Sequence, residues 1–309
     1  MRALLVVNPS ATATSAPVRD VLAHALASEV RLEVVETKAR GHAAELARTA
    51  VAEGLDVVVA LGGDGTVNEV VNGLLADGPH PELPALAVVP GGSTNVFARA
   101  LGLPAEPVEA ISVLLAGLRA ERRRTIGLAT ADSDGERRWF TFNAGLGLDA
   151  AVVRRVDRRR AAGHPATPAL FVREGFRQFL LHEQRRPALV LERPGAAPQP
   201  LGLALVCNAS PWTYLGARPV QPTPRAGFDT GLDLFGLHTL RTLPTLRHLG
   251  QVLARDPRPH GARVLSVHDA AELVLTARRP LPLQLDGEDV GDRRRVVLRS
   301  VPAALRVVV

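Results

Sequence analysis

Four short and almost unbroken apolar runs govern how the first part of this chain can fold: RALLVVN (2–8), RLEVVET (31–37), LDVVVAL (55–61) and PALAVVP (84–90), each bounded by Asn, Pro or Gly. Between them, residues 16–28, 41–53 and 67–76 carry apolar side chains at helical spacing. A strand that is apolar on both faces has to be covered on both faces, and strands separated by single helices connect in parallel. Residues 1–124 are therefore predicted to form an α/β domain on a parallel sheet. In such sheets ligands bind beyond the C-terminal ends of the strands, which is where the glycine-rich turns of this sequence fall.

After AERRRTI (120–126) the texture changes to period-2, strand-like segments: 137–150, 187–195, 201–210, 271–279 and 293–300, punctuated by Gly and Pro. Helical patterns interrupt them at about 167–183 and 243–254. Residues 125–309 are predicted to form a mainly antiparallel β-sandwich domain, with a last strand (303–309) able to pair with either domain. With 309 residues, 46% of them apolar, both domains have material for a core.

Charge and composition exclude several chemistries. The formal charge is +6, and Lys38 is the sole lysine, so a P-loop of the GxxxxGK[ST] type is absent and a catalytic lysine is restricted to one position. Aromatic residues make up 4% of the chain, and no RRM, zinc-finger or basic-zipper pattern is present, which argues against nucleic acid as a partner. A basic surface also suits an anionic membrane face or a polyphosphate. Cys207 has no partner for a disulfide and reads as a small buried apolar group. The N-terminus runs from a short strand into a polar loop, and no run reaches the roughly 18 apolar residues of a spanning helix, so a cytoplasmic location is expected.

The stretch LGGDGTVNEV (61–70) follows the third predicted strand. Its glycines permit close approach of backbone to ligand, and successive N–H groups ahead of a helix form an anion site. Thr66 reads as the N-cap, with Glu69 completing a capping box. Asp64 is out of place beside a phosphate unless a cation bridges them, which suggests Mg²⁺. The pattern recurs after the fourth strand as Gly91, Gly92, Ser93, Thr94 and Asn95, and VVNPSA (6–11) ends the first strand in a third polar turn. Two such loops on neighbouring strands point to a shared nucleotide cleft.

GGDGTxNEV, a G-x-T-N turn about 25 residues later and the early NP turn together resemble the diacylglycerol kinase catalytic family, particularly its soluble bacterial lipid kinases; sphingosine and ceramide kinases are similar. FNAGLGLDA (142–150), FDTGLDL (228–234) and LQLDGE (283–288) extend the resemblance over nearly the whole chain. It implies an ATP cleft between the domains, with Asn8, Thr37, Gly62, Gly63, Asp64, Gly65, Thr66, Asn68, Glu69, Gly92, Thr94 and Asn95 around the nucleotide. It implies that Glu288 is the base that takes the proton of the lipid hydroxyl and that Asp64 acts with Mg²⁺ in catalysis. From spacing alone, Asp286 and Glu288 read as a surface turn between two strands. A structural Mg²⁺ is implied at Asp229 with the carbonyls of Ala226 and Leu232, although Thr230 replaces the family's second Asp. Val96 stands where the family often has Asp, so that Asp64, Glu288 or Asp149 has to make up for the missing carboxylate.

The expected partners are ATP and a lipid substrate at the membrane surface, reached peripherally from the cytoplasmic face, with a homodimer possible. GGDG is shared with NAD kinases and phosphofructokinases, so an NAD kinase-like enzyme is one alternative and a non-catalytic lipid- or nucleotide-binding module another. Arg154, Arg155, Arg158, Arg159 and Arg160 read either as a solvated helix face or mobile loop, or as an attractor for anionic head groups. The segment 169–181 reads as a helix packed on the sandwich or lining an acyl-chain groove.

Overall fold

The computed structural model describes residues 1–11, 16–162, 168–181 and 187–309; the end of the arginine-rich segment, 163–165, lies outside the described residues. The chain forms two compact units, Met1–Leu128 with Pro302–Val309, and Ala129–Val301.

The first unit contains β1 (Arg2–Val7), α1 (Ala16–Ala27), β2 (Arg31–Glu36), α2 (His42–Ala52), β3 (Val57–Gly62), α3 (Asp64–Leu74), β4 (Ala85–Pro90), α4 (Val96–Ala100) and α5 (Pro107–Arg119). All four strands run parallel in the order β2-β1-β3-β4, as the unbroken apolar runs predict. Ala3, Leu5, Val7, Val57, Val59, Leu61, Ala85, Ala87 and Val89 pack against Leu22 and Leu26 of α1 and Ile111, Leu114 and Leu118 of α5. The alternate residues, among them Val6, Val58, Ala60 and Leu86, are also buried, on the side where α2 and α3 pack together.

The second unit is antiparallel. Its elements are β5 (Arg123–Ser133, entering from the first unit), β6 (Glu136–Phe140), β7 (Asn143–Leu146), α6 (Leu148–Ala161), α7 (Pro168–Leu181), β8 (Leu189–Arg193), β9 (Ala196–Leu201) and β10 (Leu203–Cys207). They continue with β11 (Thr213–Leu215), β12 (Arg218–Val220), β13 (Leu232–Leu237), α8 (Thr242–Val252), β14 (Val264–Ala270), β15 (Glu272–Leu285) and β16 (Glu288–Val308). The main path is β14-β13-β10-β7-β15-β16, with the β8–β9 hairpin added to β15 and β5–β6 to β16. Period-2 alternation decides the layers: Ala204, Val206, Leu232 and Leu234 face the main core, whereas Leu203, Leu205, Phe235 and Leu237 face a second cluster covered by Leu148, Phe179, Val252 and Leu253 from the helices.

Two local expectations are corrected. Residues 137–150 are not one strand: they form β6, then β7, and from Leu148 the helix α6. Gly147, at φ +94, turns the chain out of the sheet, and Asp149 falls in the first helical turn, where a carboxylate suits the helix dipole. Residues 303–309 are not a separate strand either. Pro302 and Ala303 (φ +50) mark a bend within β16, whose end pairs in parallel with β4 at Val307–Leu86.

Candidate active site

In the first unit α3 begins within the glycine stretch: Gly62 ends β3, Gly63 is the N-cap, and Asp64 and Gly65 lie in the first helical turn. Thr66 therefore lies inside the helix and caps nothing. Its buried hydroxyl instead accepts from Asn8 Nδ2 (2.9 Å), while Asn8 Oδ1 accepts from Ser10 N (3.0 Å). The capping box fails for Glu69 as well, because its carboxylate accepts from Gly41 N (2.8 Å) and Ala43 N (3.2 Å) at the start of α2. Glu69 thus caps a neighbouring helix. Glu69→Ala should lower unfolding free energy by about 1–2 kcal/mol in urea titration; an unchanged midpoint would mean that the cap is not formed.

The two glycine loops touch. Gly91 N donates to Gly62 O (2.8 Å), and a Cβ added at Gly92 would lie 2.7 Å from Gly63 Cα, so only glycine allows this approach. Asn95, at φ +50, closes the second loop on itself: its Oδ1 accepts from Gly92 N and its Nδ2 donates to Gly92 O, both at 2.8 Å. Thr94 is half-buried beside it.

Asp64 clasps one loop to the other. Its two oxygens accept from Val96 N and Phe97 N, each at 3.0 Å, so the carboxylate lies in the first turn of α3 and on the first amides of α4. That geometry gives the aspartate a structural role in a phosphate-type loop. Val96 uses its amide here, and its side chain is buried. Asn68 is buried and accepts from Asn72 Nδ2 (2.9 Å to its carbonyl), and Thr37 N donates to Val7 O (2.8 Å) at the end of β2. Asn8, Gly62, Gly63, Asp64, Thr66, Gly92 and Asn95 are thereby joined, while Glu69 is turned to α2.

In the second unit, Asp286 (φ +50) and Gly287 (φ +79) form the tight turn between β15 and β16, with Glu288 at the start of β16 opposite Leu285. Asp286 is not on the surface, as spacing suggested: it is 4% exposed and accepts from Thr141 N (2.7 Å), Thr141 Oγ1 (2.9 Å), Phe142 N (2.9 Å) and Asn143 N (3.1 Å). Gln284, which the sequence reading missed, ties a second knot. Its Nε2 donates to Asn143 Oδ1 and Asp149 Oδ2, and its Oε1 accepts from Gly287 N, all at 2.8 Å. Asp289, next to Glu288, is held by Arg154 through two bonds of 2.8 and 3.0 Å. A polar residue in a buried phase of β15 was the available signal for Gln284; none existed for the Arg154–Asp289 pair.

Asp149 lies against the backbone of β7, where a Cβ at Gly145 would come within 2.1 Å of its Oδ2. Burial lifts its carboxyl from the ordinary 3.8 to about 6, partly offset by the Gln284 amide. Because the folded value is the higher one, this group's contribution to stability is complete below the unfolded value and is lost as pH rises through about 6. The interval is worth roughly 3 kcal/mol. Asp149→Asn should remove a loss of that size between about pH 4 and pH 7.5 in urea unfolding; an unaltered pH slope would refute it. Burial also pushes the Cys207 thiol up to about 12, so it is an inert core group.

The remaining candidates are more scattered. Asp229 is exposed on the turn before β13, Ala226 is buried, and Leu232 opens β13. Thr230 Oγ1 donates to the Gly227 carbonyl (3.0 Å). Among the described residues no group of three or more His, Cys, Asp or Glu is gathered around a common point. The arginine run lies on α6. Arg155 and Arg159 converge on Glu174, itself 1% exposed, and Arg154 also reaches Asp292. Part of the run thus holds α6 to its surroundings. On α7, Leu170 is buried and Phe179 packs in the second cluster, but Phe171 and Phe176 are exposed.

The chain resembles known proteins both in sequence and in fold. A model of the diacylglycerol kinase catalytic domain matches residues 2–125. "Probable lipid kinase YegS-like" of Stenotrophomonas maltophilia is 30% identical over 298 residues, covering 94% of this chain and 90% of that one. Diacylglycerol kinase of Bacillus subtilis is 49% identical over 72 residues, 23% of each chain. In fold, a diacylglycerol kinase structure from Bacillus anthracis superposes with a TM-score of 0.72 at 19% identity, covering 99% of this chain and 96% of that one. An NAD kinase from Archaeoglobus fulgidus in complex with ATP shares the fold more distantly, with a TM-score of 0.54 at 13% identity, over 100% of this chain and 94% of that one. With a relative of that identity along nearly its whole length, the chain belongs to the diacylglycerol kinase catalytic family of lipid kinases.

Proposed function

We propose that this chain transfers the γ-phosphoryl group of ATP to the hydroxyl of diacylglycerol or a closely related lipid. The observation that carries the reading is the pair of interlocked glycine loops, whose backbones meet at Gly63 and Gly92 and whose helices α3 and α4 both begin at the loop. The N-terminus of α3, with the glycine backbone held against it, makes an anion cradle suited to a polyphosphate. Thr66, Asn8 and Asn95 hold the loops in shape; Gly65, Thr94 and Asn68 complete their surroundings.

An alcohol is a poor nucleophile until a base accepts its proton, and Glu288 takes that role in this reading. The turn that carries it is fixed on one side by Asp286 and on the other by Gln284, so the carboxylate is presented from a rigid frame. Mg²⁺ fits as a companion of the nucleotide near Asp64, whose two oxygens accept N–H groups of α4. Bound with ATP, it would neutralise charge on the transferred group. A second Mg²⁺ at Asp229, with the carbonyls of Ala226 and Leu232, remains part of the proposal.

The test is transfer of radiolabel from ATP to diacylglycerol, monoacylglycerol, sphingosine and NAD, each offered alone. Label in a glycerolipid is the expected result. Label in NAD, or ATP binding without transfer to any acceptor, would overturn the reading in favour of a nucleotide kinase or a binding module.

A further inference from the structure

Among the described residues, helix α8 packs on the second unit through part of its surface. His248 and Val252 are buried, and Val252 and Leu253 pack with Leu237 and Leu240. Further round the helix, Leu243, Leu246 and Leu249 are exposed by 81%, 48% and 50%. At a spacing of three they drift by about 60° per step and form a broad stripe that winds toward Val252. The charges around this stripe have one sign: residues 241–255 contain Arg241, Arg247 and Arg255, all exposed, and no Asp or Glu. The nearest acid beyond, Asp256, is paired with Arg258 at 2.7 Å.

An apolar stripe of this kind is covered in use by a matching surface. A second copy of the chain is a poor match. A twofold contact sets the same stripe against itself, and the arginines of both helices would meet with no carboxylate on either helix to receive them. An anionic bilayer suits both features, since acyl chains accept leucine and acidic head groups attract each arginine. We infer that the outer face of α8 is a membrane-docking surface, which seats Leu243, Leu246 and Leu249 in the bilayer interface with Arg247 at the level of anionic head groups. The inference rests on the reading that the acceptor is a bilayer lipid: docking brings the second unit to the surface in which that lipid resides.

The experiment compares the full chain with the triple variant Leu243→Ser, Leu246→Ser, Leu249→Ser and with Arg247→Glu. The readouts are flotation with phosphatidylcholine vesicles, with and without phosphatidylglycerol, and kinase activity on vesicle-borne and on short-chain dispersed diacylglycerol. The triple variant should lose vesicle retention on the order of tenfold and lose activity on vesicle-borne lipid in parallel. Its melting temperature and its activity on dispersed lipid should stay unchanged. Arg247→Glu should weaken retention only where phosphatidylglycerol is present. Equal flotation of all three proteins would overturn the inference, as would a dimer broken by the triple variant while flotation is kept. If no lipid is phosphorylated by any of the proteins but flotation still depends on the leucines, docking stands and the proposed reaction falls.

Discussion

Glu288→Gln is expected to lower kcat for lipid phosphorylation by about 100- to 10,000-fold, the range a positioned general base contributes. Glutamine keeps the size and polarity of the side chain and removes only the capacity to take a proton. The effect should fall on turnover far more than on folding, because Asp286, Gln284 and the Arg154–Asp289 pair hold the frame of the turn. ATP affinity should also hold, since the loops that would cradle the nucleotide belong to the first unit. Steady-state kinetics with radiolabelled ATP, together with a nucleotide-binding titration, separate these effects. Turnover that survives the substitution would remove Glu288 from the role of base; a loss of ATP binding would mean that the side chain acts on the nucleotide instead.

The parallel sheet was legible because β1, β3 and β4 are apolar at nearly every position, a pattern that leaves one arrangement open. Helix α6 was not. Its run of arginines erases the apolar stripe by which a helix is recognised, and the strand-like alternation before it continues to Gly147 before the chain turns. Thr66 and Glu69 show how correct spacing misleads: the pair fits a capping box, but the helix begins three residues earlier, and the carboxylate finds its donors 26 and 28 residues back in the chain. Asp64 was singled out as a carboxylate where phosphate belongs, but its backbone partners in the fold were not foreseen. The amides of Val96 and Phe97, 32 and 33 residues away, are invisible to any local pattern.

The same limit applies most strongly to Asp286, whose donors lie more than 140 residues earlier, and it leads to the second large effect. Asp286→Asn should destabilise the chain by about 3–5 kcal/mol, because it leaves buried donors without an acceptor. Four donors share two carboxylate oxygens: Thr141 N and Oγ1 on Oδ2, Phe142 N and Asn143 N on Oδ1. An amide supplies one oxygen, and whichever way it turns, its NH₂ group faces two donors at the other position. The site is 4% exposed, so water is not at hand to replace them. Urea unfolding measures the loss directly, and it should be accompanied by reduced activity even where the protein remains folded, since Glu288 lies two residues beyond on the same turn. The contrast with Glu288→Gln is the decisive part: one substitution should lower stability and turnover together, the other turnover without a comparable loss of stability. Were Asp286→Asn as stable as the parent chain, the buried acceptor role would be wrong, and the rigid frame proposed for the base would lose its main support.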